Sequence, residues 1–166
     1  MFTGNDPVFI KVDQKNRKVN MEKQKDFFQL YLRLAIGIGY LVPSLDRLGV
    51  WGAPGGKNIS WGDWQHFMEF AGQVMGFLPL PLISLFAVLA TIGEIVFGLL
   101  LLIGKWTRIS AIASGLLAFL FAVSMAISFG IVSPLSYSVF TVSAASFLLS
   151  TVGRYKWSID EMVYSK

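Results

Sequence analysis

The feature that most constrains this chain is a stretch of 45 residues, 109–153, without one charged side chain. A helix crossing the hydrocarbon core of a bilayer needs about 20 mostly apolar residues, so the stretch is long enough for two. It is interrupted at 130–134, Gly-Ile-Val-Ser-Pro, where glycine and proline punctuate as a turn. Helices are therefore expected near 107–129 and 135–153. Upstream, 78–104 is apolar apart from Glu94, and Pro79 and Pro81 fall where a first helical turn tolerates proline. A further span is expected over 27–45, with Arg33 its only charge and Pro43 near its far end. The fold class predicted is all-α, an integral membrane four-helix bundle.

Composition points the same way. Charged residues make up 14% of the chain, against roughly 25% in an average soluble domain, which is too little charge to cover a water-facing surface. A soluble enzyme, a nucleic-acid-binding module and a disordered tail are all disfavoured, and the lipid bilayer is the first partner implied. With no cysteine, the chain itself offers no disulfide, thiolate metal site, cysteine nucleophile or CxxC redox pair.

Basic residues set the expected orientation. Lys11, Lys15, Arg17, Lys18, Lys23 and Lys25 precede the first span, Lys105 and Arg108 join the second to the third, and Arg154, Lys156 and Lys166 follow the last. The opposite side holds Arg47 and Lys57. Both termini are predicted to be cytoplasmic. Residues 1–26 read as a polar basic segment and 154–166 as a cytoplasmic tail. Met21 opens Met-Glu-Lys-Gln-Lys-Asp and is an alternative start, which would make residues 1–20 a dispensable extension. The apolar run that follows is of span length and lacks a small-residue cleavage pattern, as in a retained anchor.

The first extracytoplasmic loop, 46–77, carries Trp51, Trp61, Trp64 and His66. Within it Trp64, Phe67, Met68, Ala71 and Met75 recur at helical spacing, with Asp63, Gln65, Glu69 and Gln73 interleaved. An amphipathic interfacial helix is expected there. His66 has no second histidine or cysteine to share a metal, so no metal site is assigned; it reads as an interfacial histidine.

Glu94 is the most informative residue. A carboxylate in mid-span costs at least about 2.5–3.5 kcal/mol, so it should face the bundle interior and have a partner. It is a candidate proton-carrying or substrate-orienting group, against the plainer reading of a carboxylate that holds helices together. Arg33 is the expected partner, or else reaches back toward lipid phosphates. Asp46 and Arg47 are adjacent, so they point to different faces and should bind different groups. Ala111, Gly115, Ala118, Ala122 and Ala126 form a small-residue stripe suited to close helix packing. No haem-ligand pair or phosphate-binding glycine loop is present, and Gly37 and Gly39 are too isolated for a dinucleotide fingerprint.

Four strings, LDRLGVWG (45–52), SWGDWQHFMEFAG (60–72), GEIVFGLLLLIGKWTRISA (93–111) and PLSYSVFTVSAASFLL (134–149), together resemble the bacterial DoxX family over about residues 27–153. The resemblance implies a multi-pass protein of the bacterial cytoplasmic (inner) membrane. DoxX and DoxD proteins are named for subunits associated with a terminal quinol oxidase, and DoxD-type members with a DoxA partner form a thiosulfate:quinone oxidoreductase. By that resemblance this chain is expected to be a membrane subunit of a redox system that binds a quinone. Glu94 and Arg33 are then the candidate catalytic residues. Arg108, Tyr137, Asp46 and Arg47 are candidates for a substrate or quinone pocket, and a redox partner subunit or a homo-oligomer is implied. Left open are a non-enzymatic scaffold or assembly subunit and a small-solute or lipid transporter working as an oligomer.

Overall fold

A computed structural model describes the backbone of residues 7–164. The ends of the expected N-terminal segment and tail, residues 1–6 and 165–166, lie outside the described residues. The described chain consists of helices: α1 Pro7–Asp46, α2 Trp64–Val74, α3 Leu80–Ile103, α4 Thr107–Phe129, α5 Val132–Ser136, α6 Val139–Ser150 and α7 Ile159–Tyr164. Three of these, α1, α3 and α4, are long and apolar enough to cross a membrane. Most of their apolar side chains are not buried within the chain, as expected when the surrounding medium is itself apolar.

The boundaries follow local chemistry. Pro79 caps α3 and Pro81 sits in its first turn, where a missing N–H costs no helical bond. Gly104 ends α3 in the left-handed region, and the amides of Gly104 and Lys105 both return to the Leu100 carbonyl. Glycine takes that conformation without a Cβ penalty. At its start, α1 runs through the polar-to-apolar boundary at 26–27 without a break.

The last apolar stretch is divided. Where a single helix over 135–153 was expected, α5 and α6 are separated at Tyr137 and Ser138, the latter in the left-handed region. At 1.5 Å per residue the 12 residues of α6 span only about 18 Å, well short of a 30 Å hydrocarbon core. Ser136 and Ser138 flank Tyr137 at the break, and serine is a weaker helix former than leucine or alanine.

Packing falls into two pairs, α1 along α3 and α4 along α6, joined by α3 against α4. The α1–α3 crossing is closest at Gly37 and Gly98: a Cβ on either would come within 3.0 Å of the other's carbonyl oxygen. The small-residue stripe of α4 is spent inside the chain. Ala111, Gly115, Ala118 and Ala122 are buried, a Cβ on Gly115 would stand 2.8 Å from the Phe147 ring, and Ser143 donates to the Gly115 carbonyl at 2.8 Å. Ile36, Tyr40, Leu101, Ala111 and Leu149 form the central core.

The glycine crossing should be sensitive to a single side chain. Gly98→Val, which forces the α1 and α3 backbones apart, is expected to cost about 1–3 kcal/mol. Gly39→Ala, in open space, should be neutral or gain up to about 1 kcal/mol of helix propensity. Thermal unfolding of both variants in detergent, followed by circular dichroism, checks the contrast.

Candidate functional site

The charged residues of α1 and α3 are brought together by the antiparallel run of those helices. Gln29, Arg33, Tyr40 and Ser44 lie on the interior face of α1 and are buried, as is Arg47 just beyond its end. Opposite Ser44 and Arg47, α3 presents Thr91 and Glu94.

Glu94 pairs with Arg47. The Arg47 Nη2 donates to Glu94 Oε2 at 2.8 Å, and the Ser44 hydroxyl donates to the same oxygen at 2.8 Å. Arg47 Nη1 donates to Thr91 Oγ1 at 2.9 Å and Nε to the Pro43 carbonyl at 3.2 Å. All three guanidinium nitrogens are therefore used, which is how a buried cation is made tolerable. Only 4% of the Arg47 side chain is exposed, against 16% of Glu94. Both bonds to the carboxylate fall on Oε2; among the described residues none reaches Oε1.

The expected Arg33–Glu94 pair is not formed. Arg33 is 11 residues from Ser44 on the same helix, roughly 16 Å along its axis, and its Nη2 donates to the Trp157 carbonyl at 2.8 Å. It is fully buried under the C-terminal segment, with Nε and Nη1 without a hydrogen-bond partner among the described residues. The signal that favours Arg47 was in the sequence: Arg47 lies three residues beyond Ser44, within reach of the next turn of an antiparallel neighbour. A span drawn to stop at residue 45 hides it.

Asp46 and Arg47 do serve different groups. Asp46 Oδ2 accepts the amides of Ser60 and Trp61 at 3.1 and 2.8 Å. This fastens the loop so that Trp61 and α2 close over the pair. The Arg47 guanidinium lies 4.0 Å from the Phe67 ring centre and 5.3 Å from that of Trp61, a cation–π contact strengthened by desolvation. Trp64 and Phe70 pack on the same aromatic group. Trp51 stands apart, donating to the Val42 carbonyl at 2.9 Å.

His66 belongs to the helix cap. Asp63 Oδ1 accepts the His66 amide at 2.9 Å and lies 2.8 Å from its Nδ1. The contact holds the imidazole above its ordinary range, chiefly through the side-chain hydrogen bond to Asp63, with Glu69 adding a smaller attraction. The amide bond from His66, followed by the imidazole bond, holds the Asp63 carboxyl below its ordinary range.

Two other candidates lie elsewhere. Tyr137 is 75% exposed at the α5–α6 break. Arg108, in the first turn of α4, lines a separate cavity of about 760 Å³ with residues of 150–155, Asp160 and Glu161. Missed by sequence reasoning were Ser44, Thr91 and Tyr40, whose hydroxyl donates to the Ser114 carbonyl at 2.6 Å; their one signal was helical spacing, Ser44 three residues before Arg47, Thr91 three before Glu94 and Tyr40 a further turn before Ser44.

The DoxX family model matches residues 28–150 of the 166, a range that includes every residue around Glu94. The chain belongs to the DoxX family. It is a DoxX family membrane protein. No curated protein and no solved structure matches it.

Removing Arg47 leaves a buried carboxylate without its cation. Arg47→Met is expected to cost about 3–5 kcal/mol, and the double variant Arg47→Met/Glu94→Gln to recover part of it; a double-mutant cycle on thermal or denaturant unfolding measures the coupling. For the α2 cap, a raised His66 contributes fully below about pH 6.5 and is lost as pH rises through its folded value. A lowered Asp63 contributes above about pH 4 and is lost as pH falls through its folded value. Hydrogen-exchange protection of the first turn of α2, corrected for intrinsic rate, should therefore decline from pH 6 to 8.5, and His66→Gln should flatten that decline.

Proposed function

We propose that this DoxX protein is a membrane subunit of a quinone-linked redox system, with the Arg47–Glu94 centre as the place where a quinone exchanges protons. The observation that supports this most is the asymmetry of the Glu94 carboxylate. Oε2 is fixed by Arg47 and Ser44 while Oε1, on a partly accessible side chain, has no partner among the described residues. Intramembrane ionisable residues are functional sites by default, and a carboxylate held on one oxygen is positioned to carry a proton on the other.

In this reading a quinone enters from the apolar phase and places a carbonyl oxygen near Oε1. Reduction to quinol takes two electrons and two protons. The electrons come from an external reductant or a partner subunit. With thiosulfate, as the resemblance to DoxD-type members suggests, two thiosulfate ions join as tetrathionate and release the two electrons. Glu94, after taking up a proton from water, passes it to one reduced oxygen, the other oxygen takes the second proton from water, and Arg47, which stays charged, stabilises the carboxylate left behind. The aromatic group of Trp61, Trp64, Phe67 and Phe70 shields the centre from the loop side, so that the polar bonds operate in a water-poor setting.

The accompanying topology is four crossings of a bacterial inner membrane, with α5 and α6 together forming the last and both termini on the cytoplasmic side. A scaffold role through the α4 small-residue stripe has less to support it, because that stripe is covered by α6.

Organic extraction and mass spectrometry of gently purified protein test the reading. Wild type should yield quinone near one per chain, and Glu94→Gln should lose it together with quinone-linked turnover, the latter by about 10²-fold or more. Full turnover in Glu94→Gln, at unchanged quinone content, would remove Glu94 from the mechanism.

A further inference from the structure

At the other end of α1 and α3 lies a second polar region that the Glu94 centre does not use. It is built by the α3–α4 turn, the start of α4, the end of α6 and the C-terminal segment. Trp106 in the left-handed region turns the chain into α4. Asp160 reaches across from α7 so that its two carboxylate oxygens accept the Trp106 and Thr107 amides, each at 2.8 Å. The first bond of the α4 ladder is Ser110 N–H to the Trp106 carbonyl. The amides of Arg108 and Ile109 belong to the opening turn, whose N–H groups have no partner within the helix.

The cavity of about 760 Å³ opens at this point. Its wall includes Thr107, Arg108, Ile109, Arg154, Tyr155 and Asp160. Thr107 is fully buried, yet among the described residues its Oγ1 has no hydrogen-bond partner. The carboxylates are already committed: Asp160 to the two amides, and Glu161 to the Arg154 guanidinium and the Trp157 amide. What remains is the Arg108 cation, which forms no ion pair or hydrogen bond among the described residues, beside an unused hydroxyl and two opening-turn amides.

We propose that this cavity binds a phosphate-bearing anion, held by Arg108, Thr107 and the opening amides of α4. Guanidinium, hydroxyl and helix N-terminal N–H groups are the donor set that phosphate oxygens select. Asp160 shows that the same helix end already holds one anionic group. The site is broad and open to the surface on one side, which leaves room for a phosphate carried on a larger headgroup. Trp106 and Ile109 at the rim are exposed and apolar, and Lys105 lies 5.1 Å over the Trp106 ring. That pairing of aromatic and cation is typical of a membrane surface. The site is independent of the Glu94 reading.

Full-length protein in neutral detergent is tested with two probes, dioleoyl phosphatidylglycerol and inorganic phosphate, with dioleoyl phosphatidylcholine as the control lipid. Native mass spectrometry reads lipid adducts, and isothermal calorimetry reads phosphate. Wild type should retain phosphatidylglycerol over phosphatidylcholine, and Arg108→Gln should weaken that retention about tenfold, the loss of one charge-assisted contact. Binding of inorganic phosphate alone, lost in Arg108→Gln, would keep the site and make its ligand a soluble phosphate. Arg108 is exposed, so its replacement should leave the melting temperature unchanged. Thr107→Val, which keeps the buried shape, should weaken binding by a smaller factor. Equal retention of both lipids and no phosphate binding, or binding unaffected by Arg108→Gln, overturns the proposal.

Discussion

The structure depends on one ion pair placed where ions are costly. Arg47 and Glu94 sit among apolar helices, and the desolvation of either alone would exceed what packing nearby could offset. The pair is tolerable because each nitrogen of the guanidinium has an acceptor, at Glu94, Thr91 and Pro43. Those acceptors come from two helices. The pairing therefore fixes the register of α1 against α3, and any slide of one helix turn would strand a charge. A purely apolar seam, with similar residues repeating every turn, would impose no such choice.

Register in turn depends on distance. Ser44 can donate to Glu94 at 2.8 Å only because the backbones come close a few residues away. Gly37 and Gly98 make that approach possible, since a Cβ on either would stand 3.0 Å from the other's carbonyl oxygen. In a membrane the solvent is as apolar as the core, so burial gives little drive for helix association, and small residues with interhelical bonds supply it instead. Here the two devices sit on the same pair of helices. The α4–α6 pair repeats them with Gly115 against Phe147 and the Ser143 hydroxyl on the Gly115 carbonyl.

Much of the helix pattern was legible because it follows from long apolar runs and glycine or proline punctuation. The α3 and α4 limits fall within two residues or so of those expected, and the amphipathic spacing of 64–75 marks α2. What could not be read was whatever depended on partners distant in sequence. Arg33 and Arg47 both flank or occupy the first span; choosing between them as the partner of Glu94 requires knowing how far α1 extends and where it crosses α3. The division of the last stretch was hidden for a different reason. Pro134 lies in the first turn of α5 and the turn itself is at Gly130, but the break at Ser138 is a conformational choice that no apolar count detects.

The chain thus keeps two buried arginines, one within α1 and one just beyond its end, and treats them differently. Between them lies a layer of fully buried apolar side chains, Leu101, Ala111 and Leu149, with Ile36. Arg47 has a carboxylate within the span and an aromatic cover. Arg33 has a carbonyl from the C-terminal segment, and that segment is tied down again by Lys156 to Asp26 at 3.1 Å and by Gln29 to the Lys156 carbonyl at 2.9 Å. The Asp26 side chain is 18% exposed, close to the 16% of Glu94, so both arginine regions have a largely buried carboxylate nearby. What differs is its partner: Glu94 pairs with Arg47 itself, whereas Asp26 pairs with Lys156 and Arg33 donates to the Trp157 carbonyl. The charge of Arg47 is thus met within the helix pair, and that of Arg33 depends on the C-terminal segment staying in place.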